Sequence, residues 1–470
     1  MSSSRTALWS ESRRGRERGN RRGRKRGNRR GRESESRRES KTETGRFFCT
    51  TVRRTSRSAW RSRTSRACSV VFETMKIVMD FRKFDGVVGG VEQGVIQITK
   101  YAAAKGHRVV LLCKSNRLAE AKRIFESDPN VATRPLPVRS HAMSLKNAWL
   151  DSVTIQKIAE QEGAEVVHFP YNWSFPFRKK APCVLTIHDV IPFTFREAMG
   201  FFRNHLLYKS GTRLACRLND VVTTVSEFSK HEIVEKVGVP AEKVRVVPNG
   251  LRRPTTPSAA TEKSLEERFQ LSSGSTDGFL LNVGGIHERK NIGRLISAFS
   301  RLVRQEGYAG KLLITGNYSN NPYLRKMKKR CDAAVRKTGM EERVIFTGFI
   351  SDEELDTLLR RAKFLVYPSP CEGFGLPVIE AMQVGTPVVT SKFTGTAEVA
   401  GDAAVLVDPY STDEIAAGMS RLLREPELRA ELSRRGRERA KQYSWEKTAE
   451  KYFEIYDECK RSFKEEAGDG

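Results

Sequence analysis

The chain has 470 residues, 38% of them hydrophobic and 30% charged, and its formal net charge is +28. A single hydrophobic core rarely organises a chain of this length, so the sequence predicts two domains. No apolar run approaches the roughly 20 residues that cross a bilayer, and the amino terminus lacks the apolar stretch of a signal peptide. We therefore expect a soluble protein that contacts membranes at most peripherally.

The positive charge is concentrated in residues 1–74, which hold 23 of the 84 Lys and Arg residues against seven Glu and no Asp. Short Arg-Gly-Arg repeats with few apolar side chains predict that 1–74 is a disordered extension. Clustered guanidinium groups bind phosphate, so this arm is either a tether for nucleic acid or not part of the natural protein. A buried-strand pattern begins abruptly at Met75, which favours a mis-assigned start.

Eight cysteines and seven histidines are scattered along the chain, without a Cys-x-x-Cys pair or the Cys/His spacing of a zinc site. This pattern favours reduced thiols in the cytoplasm. The chain also lacks an Asp-x-Asp motif. The sequence therefore predicts no metal site.

From Met75 onward, short apolar runs alternate with segments of helical periodicity, which indicates βα units on a parallel sheet. A helix is predicted over 91–105, and Gly106 suits its C-terminus. The candidate strands of this first series lie at 76–79, 109–112, 166–169, 184–187 and 221–225. They predict a first Rossmann-like domain over 75–254.

Pro248-Asn249-Gly250 and the Ser/Thr/Ala-rich stretch 255–264 indicate a hinge and a linker. The candidate strands of the second series lie at 279–283, 311–315, 343–347, 363–367, 387–390 and 404–407. The predicted fold class is α/β, with doubly wound domains over 75–254 and 255–440 and a terminal helix over 441–463. Ligands of such sheets bind outside the carboxyl ends of the strands, so we expect a site in the cleft between the domains.

A strand end, a glycine-bearing loop and a helix start are combined around Glu372. Gly373 and Gly375 let backbone amides approach a ligand, and Pro377 suits the first position of a helix whose amino terminus favours an anion. Glu380, in the predicted first turn, and Glu372 would then bracket one pocket. The alternative is a solvated loop carboxylate and a partner for the helix dipole.

Glu372 and Glu380, eight positions apart around Gly-Phe-Gly-Leu-Pro, resemble the E-x7-E signature of glycosyltransferase family 4, whose members are retaining glycosyltransferases of GT-B fold. The flanking order agrees over roughly residues 75–460. The resemblance implies that Glu372 holds donor sugar hydroxyls and stabilises an oxocarbenium-like state, and that Glu380 binds the nucleotide ribose. It also implies donor contacts from Gly373, Phe374, Gly375 and Leu376.

Arg289 and Lys290 follow a strand and the Gly284-Gly285 turn. Adjacent cations at a helix start are usually exposed, but here they suit a diphosphate clamp, in which Arg offers a fork and Lys a mobile charge. They resemble the phosphate-binding pair of the family. The sequence departs from the family pattern at Gly285, where many members have Arg, and at Glu288, where the mannosyltransferase-like branch has Pro.

Two other strand ends carry weaker candidates. Family members hold the nucleobase on the backbone of the turn that here contains Ile350, so Ile350 is a candidate base contact. Gly316, at another strand end, is a similar but weaker candidate. A simple connection without ligand contact is an equal alternative for the turn of Ile350. Ser351 and Glu354 predict a capping box for the next helix.

The first domain contributes Gly89 and Gly90, in a Gly-rich loop, and His188, in a His-Asp-x-x-Pro context after a strand. A lone Gly-Gly is a weak signal, and a lone His is more often structural. The resemblance implies that the loop lies over the donor phosphate and the acceptor. It also implies that His188 acts beside the donor sugar and the reaction centre.

The stretch 201–217 mixes apolar residues with Arg and Lys. Such a helix can lie on an anionic membrane beside a lipid-linked acceptor. The alternative is ordinary packing against the first domain.

Together, these residues predict transfer of a hexose, of mannose or glucose type, from a nucleoside diphosphate sugar to a glycan or lipid-linked acceptor. The predicted catalytic residues are Glu372, His188, Arg289 and Lys290, without metal or cofactor. The mannosyltransferase-like pattern favours GDP-mannose as the donor. Two alternatives stay open: nucleic-acid binding through the basic arm, and a GT-B epimerase or phosphorylase. The predicted location is the cytoplasm, with peripheral contact at the inner face of the membrane.

Overall fold

The computed structural model describes residues 73–138, 144–194, 202–271, 277–318 and 322–468. These residues belong to one compact unit. Apart from its last two residues, the predicted basic extension lies outside the described residues.

Parallel strands of the first half form one sheet. They are β1 (Lys76–Asp80), β2 (Arg108–Lys114), β3 (Val131–Leu136), β4 (Val166–Phe169), β5 (Cys183–Thr186), β6 (Val221–Thr224) and β7 (Val244–Val246). In the described residues the sheet has the order β3-β2-β1-β4-β5-β6-β7. Five of these strands were predicted to within two residues. The two that the sequence did not reveal, β3 and β7, are the edges of the sheet.

Helices of the first half connect these strands. They are α1 (Gly90–Ala104), α2 (Leu118–Ile124), α3 (Leu145–Trp149), α4 (Ile155–Glu162), α5 (Ile191–Thr194), α6 (Phe202–Leu218) and α7 (Glu227–Val237), with a π-helical turn (Leu150–Thr154) between α3 and α4. The predicted helix over 91–105 is α1, shifted by one residue. Gly106, with φ of +89°, follows its end, because a left-handed residue cannot continue the helix.

A second parallel sheet is formed by the strands of the other half. They are β8 (Phe279–Asn282), β9 (Lys311–Thr315), β10 (Val344–Gly348), β11 (Phe364–Tyr367), β12 (Val388–Ser391) and β13 (Val405–Val407). In the described residues the order is β10-β9-β8-β11-β12-β13. Each of these strands was predicted to within one residue, because each contains a short apolar run. The central strands β8, β9, β11 and β12 are almost entirely buried.

Helices flank the second sheet on both faces. They are α8 (Ala259–Phe269), α9 (Ile292–Glu306), α10 (Pro322–Thr338), α11 (Asp352–Arg361), α12 (Leu376–Val384), α13 (Gly395–Ala400), α14 (Thr412–Arg424) and α15 (Pro426–Ala440). A terminal helix, α16 (Trp445–Gly468), follows them. The prediction of a linker over 255–264 is partly wrong, since α8 begins inside it. The Ser258 hydroxyl caps this helix by accepting from the Thr261 amide at 3.2 Å, and Leu265 and Phe269, one turn apart, are buried.

The terminal helix α16 lies against the first sheet together with α1. Its Tyr456 hydroxyl contacts Nδ1 of buried His168, on β4, at 2.7 Å. The last part of the chain therefore belongs to the core of the first half. The loops that carry the predicted site residues all follow carboxyl ends of strands: β1, β5, β8, β9, β10 and β11.

Candidate active site

The loop between β11 and α12 turns through a glycine whose replacement would strain the backbone and crowd a neighbouring side chain. Gly375 has φ of +95°, and a Cβ there would lie 2.5 Å from Cγ2 of Thr396. Because Gly375 acts as the N-cap, α12 begins at Leu376, with Pro377 as its second residue. The predicted helix start at Pro377 is therefore wrong by one position, and Glu380 stands in the second turn rather than the first.

Glu372 is buried, with 7% of its surface exposed. Its Oε1 forms an ion pair with Arg289 and another with Lys290, whose Nζ lies at 2.8 Å. The same oxygen accepts hydrogen bonds from the hydroxyls of Tyr367 at 3.0 Å and Ser369 at 2.9 Å. None of these four contacts uses Oε2. Glu372 is therefore not a solvated loop carboxylate.

The three charges of this cluster control one another's ionisation. Burial alone would raise the pKa of Glu372, but Lys290 and Arg289 outweigh burial and hold this pKa below its usual range. Burial lowers the pKa of the Lys290 amine against the opposing effect of Glu372. Burial would also lower the pKa of Arg289, but Glu372 raises it. With both cations protonated, the cluster has a net positive charge that attracts an anion.

The loop after β8 places both cations. A Cβ on Gly284, which has φ of +106°, would lie 3.1 Å from Nζ of Lys290, so glycine leaves room for the amine. Asn291 has a left-handed backbone, and its side-chain amide donates to the carbonyls of Pro368 at 3.1 Å and Pro409 at 2.6 Å. These bonds fix the cationic loop to the start of the Glu372 loop.

Two of the predicted donor contacts have packing roles. A Cβ on Gly316, with φ of +124°, would lie 2.4 Å from Cα of Gly285, so the two strand ends can only meet through glycine. Phe374 is buried, and its ring packs edge-on against Tyr443 with 5.5 Å between centroids. Both residues therefore shape the loops whether or not they contact a ligand.

A carbonyl of the Glu372 loop contacts the first half of the chain. The Ser226 and Ser229 hydroxyls donate to the Gly373 carbonyl at 2.5 Å and 3.1 Å. A Cβ on Gly373 would lie only 2.7 Å from the carbonyl oxygen of His188. Ser226 also caps α7, because its hydroxyl accepts from the Ser229 amide at 2.9 Å. The backbone of His188 is thus in close contact with the loop that carries Glu372.

The Gly-rich loop of the first half ends beside α12. Gly89 precedes α1, and its amide donates to the Glu92 carboxylate at 3.2 Å. A Cβ on Gly90 would lie 3.6 Å from Cδ1 of Leu376. The structure therefore brings this loop to the amino terminus of α12.

Glu380 contacts the segment that joins the two halves. Nε of Arg252 lies 3.4 Å from Oε1 of Glu380, and the other two guanidinium nitrogens contact Asp356 at 2.6 Å and 2.7 Å. Burial raises the pKa of Glu380 to about 7, which Arg252 opposes. Ile350 is half-buried just before α11, which carries Asp356 and begins with the predicted capping box. Glu380 and Glu372 thus have separate partners.

His188 is held as a neutral imidazole. Its Nε2 donates to the Pro170 carbonyl at 3.3 Å, which leaves Nδ1 as the nitrogen that can accept a hydrogen bond. Burial lowers the pKa of His188 to about 4. The ring borders a cavity of about 260 Å³. This cavity is also lined by Lys83, Tyr171, Asn172, Trp173, Asp189 and Tyr208.

Known proteins share this arrangement of two sheets. Residues 88–253 match the family model described as Glycosyltransferase Family 4, and residues 263–439 match the model described as Glycosyl transferases group 1. The chain is 31% identical over 283 residues to O-antigen chain mannosyltransferase B of Escherichia coli, covering 60% of this chain and 71% of that protein. The chain belongs to glycosyltransferase family 4.

This family 4 glycosyltransferase is also similar to proteins that it matches over different spans. It is 27% identical over 274 residues to the serotype-specific mannosyltransferase WbdA of Escherichia coli. The matched region covers 57% of this chain and 32% of that relative. The crystal structure of Anabaena HepE in complex with UDP and glucose superposes with a TM-score of 0.61 at 18% identity, covering 82% of this chain and 99% of the other. The predicted GT-B fold is confirmed.

Sequence reasoning assigned no role to several side chains that contact the candidate site residues. Tyr367 is the last residue of β11, and Ser369 follows two positions later. Their hydroxyl groups stand shortly before Glu372 in the sequence, which could have indicated that they contact its carboxylate. No local pattern indicated a role for Arg252, because it lies between the predicted hinge and the predicted linker. Its partners, Asp356 and Glu380, come from helices that are distant in the sequence.

Other sequence predictions concern metals and membranes. Within the described residues, no group of three or more His, Cys, Asp or Glu side chains is placed to hold a metal ion. None of the helices in that part of the chain is both long and apolar enough to cross a bilayer. Helix α6 buries Tyr208 and Cys216 in the first core and leaves Leu206 and Leu207 exposed. It packs on the first half, and membrane contact by its outer face stays a prediction.

Proposed function

We propose that this chain is a retaining hexosyltransferase that moves a sugar from a nucleoside diphosphate donor to an acceptor hydroxyl. The observation that supports this most strongly is the convergence of Arg289 and Lys290 on Glu372, next to the backbone of His188. An arginine fork and a buried amine at strand ends suit a diphosphate. A carboxylate in the same cluster suits the positive charge of a glycosyl transition state.

In the proposed reaction, the bond between the anomeric carbon and the donor phosphate oxygen breaks, and its electron pair moves to the leaving diphosphate. Arg289 and Lys290 stabilise this developing charge, supplying the positive charge that a divalent ion would otherwise provide. The acceptor oxygen bonds to the anomeric carbon on the same face, so the configuration is retained. The acceptor proton moves to an oxygen of the leaving phosphate.

The carboxylates have different roles in this proposal. Oε2 of Glu372 is not used by the contacts that hold Oε1, so we assign it to hydroxyls of the donor sugar. Its negative charge also stabilises the oxocarbenium-like state. We assign Glu380, beside Arg252, to the ribose hydroxyls. The diphosphate then lies between these two carboxylates.

The cavity beside His188 is the proposed acceptor site. At about 260 Å³ it is slightly smaller than the roughly 300 Å³ lower limit for drug-sized ligands, so a single sugar unit is the expected occupant. Nδ1 of His188 can accept a hydrogen bond from a sugar hydroxyl. Tyr171 and Trp173 offer aromatic surface to a sugar ring. The expected acceptor is the hydroxyl of a glycan, free or lipid-linked.

The proposed donor is GDP-mannose, because O-antigen chain mannosyltransferase B and WbdA are both named for mannosyl transfer. UDP-glucose is the second candidate, because HepE was crystallised with UDP and glucose. The cluster of Glu372, Arg289 and Lys290 suits the diphosphate of either donor.

The test measures nucleotide release by the purified chain from a panel of nucleotide sugars, alone and with sugar acceptors or inorganic phosphate. We expect the release to be fastest with GDP-mannose and to be lost in Glu372→Gln. The matched control is Glu431→Gln, whose carboxylate pairs with Arg434 and Arg435 away from the site. An inactive wild-type protein across the panel contradicts the proposal, an inverted product contradicts retention, and a sugar phosphate formed from inorganic phosphate indicates a phosphorylase.

A further inference from the structure

Arg252 connects the segment between the two halves of the chain to the helices of the second half. Its side chain is 18% exposed, and all three of its guanidinium nitrogens have carboxylate partners. Two face Asp356 on α11 in a fork, and the third faces Glu380 on α12. Such a planar, two-sided arrangement is specific to arginine.

The partners of Arg252 are themselves fixed. Asp356 accepts from the amide and the hydroxyl of Thr255 at 2.7 Å and 2.8 Å. The backbone carbonyl of Arg252 accepts from Nε2 of Gln383, on α12, at 3.3 Å. The guanidinium is therefore held in one orientation relative to the helix that carries Glu380.

Glu380 is in an environment that does not favour its charged form. It is largely buried, and Asp356 and Asp352 on α11 add negative charge nearby. Arg252 is the cation that faces it, whereas Arg437, on α15, contacts the carbonyl of Val384 at the far end of α12. The charge on Glu380 thus depends on Arg252.

We propose that Arg252 is a positioning residue, which orients Glu380 and favours its ionised form so that this carboxylate accepts hydrogen bonds from the ribose hydroxyls of the donor. The inference rests on the proposed function. Only an ionised carboxylate offers acceptors alone, because a protonated one places a donor against the ribose.

Donor affinity should therefore depend on pH in a way that Arg252 controls. Because burial raises the pKa of Glu380 to about 7, we expect the donor to bind more tightly as pH rises through this value. Without the guanidinium, the same transition moves to higher pH, because burial and the two aspartates then act unopposed. A variant of Arg252 that only disturbs packing weakens binding equally at every pH.

The experiment measures the dissociation constant of GDP-mannose by equilibrium dialysis between about pH 5.5 and pH 9, where the two phosphates of this donor keep their charge. UDP-glucose replaces it if the wild-type protein consumes that donor instead. We compare the wild-type protein with Arg252→Gln, Glu380→Gln and Thr255→Val. The last variant removes one hydrogen bond to Asp356 and leaves the contact of Arg252 with Glu380, so it is the matched control.

For Arg252→Gln we expect the ionisation change alone to lower affinity about fivefold at pH 7, with this part of the loss recovered at about pH 9, if the transition moves from about pH 7 to about pH 8. Thr255→Val should follow the wild-type profile, and Glu380→Gln should bind weakly and independently of pH. A parallel profile for Arg252→Gln overturns the inference. If the wild-type protein binds and consumes no nucleotide sugar, the proposed function itself fails. If the wild-type protein consumes the donor but Glu380→Gln binds the donor as tightly as the wild-type protein does, the inference alone fails.

Discussion

Lys290 and Glu372 lie 2.8 Å apart, in side chains that are 6% and 10% exposed. The carboxylate thus contacts the cations that we assign to the donor diphosphate. A diphosphate entering the site competes with Glu372 for Lys290 and Arg289. Chemistry and nucleotide binding should therefore respond in opposite directions when this carboxylate is neutralised.

Glu372→Gln should lower the transfer rate at least about 100-fold, because a charge that stabilises the transition state is lost. The same change should tighten GDP binding by about three- to tenfold, since the amide no longer neutralises the two cations. Single-turnover transfer and equilibrium dialysis with GDP measure the two effects. Weaker GDP binding in this variant would contradict the competition, and Glu431→Gln should change neither quantity.

Lys290→Met should lower transfer at least about 100-fold and raise the donor KM, because Arg289 alone then faces the diphosphate. The free energy of unfolding should fall by about 1–3 kcal/mol, because buried Glu372 loses one of its two cations. Urea unfolding and donor titration check these outcomes. Lys263→Met, at an exposed position of α8, is the control and should leave both unchanged. Transfer at the wild-type rate by Lys290→Met would show that Lys290 does not contribute to the reaction.

The sequence revealed the strands with apolar runs, including the partly exposed edges β10 and β13 of the second sheet, but not the edges β3 and β7 of the first. The residues of β4 and β11 are all buried, and each strand is a short, mostly apolar run, as expected for a parallel sheet covered on both faces. The edge strand β3 contains Thr133, Arg134 and Pro135 and alternates between exposed and partly buried residues, so its composition resembles that of a loop. The other edge, β7, has three residues, too few for periodicity.

Local patterns located the residues of the site that follow strands, but not the contacts between distant segments. Arg289 and Glu372 were found because cations and carboxylates stood after apolar runs beside glycines. The bonds from Ser226 and Ser229 to the Gly373 carbonyl join residues 147 and 144 positions apart, and no local pattern contains that information. Such contacts depend on how the two sheets meet, which a single sequence does not reveal.

Acid should destabilise the protein through His168. This side chain is fully buried, with its two ring nitrogens in contact with Tyr456 at 2.7 Å and Thr186 at 2.8 Å. Burial lowers its pKa to about 3 from the usual 6.5. The unfolded chain binds this proton first as pH falls, so the contribution of His168 is fully present above about pH 6.5 and is lost progressively below it.

Between pH 7 and pH 5, this loss should be about 2 kcal/mol in the free energy of unfolding. His168→Gln keeps a polar group at the position but cannot titrate, so its stability should fall less over the same interval even if it starts lower. Urea unfolding at the two pH values measures both proteins. An equal decrease in the variant would show that other groups, such as His188, account for the acid sensitivity.

The close contact between Gly373 and the first half predicts that one added methyl group impairs catalysis. In Gly373→Ala, the new Cβ would lie 2.7 Å from the His188 carbonyl and 2.9 Å from the Ser229 hydroxyl, so the Glu372 loop has to move away. A displacement of this size can cost about 100-fold in rate.

Gly293→Ala is the matched control, because a Cβ there meets nothing within 4 Å and the position is exposed in α9. That control should gain about 0.5–1 kcal/mol of stability and keep its activity. Steady-state transfer and thermal unfolding compare the two, and wild-type activity in Gly373→Ala would show that the contact with His188 is not needed for the reaction.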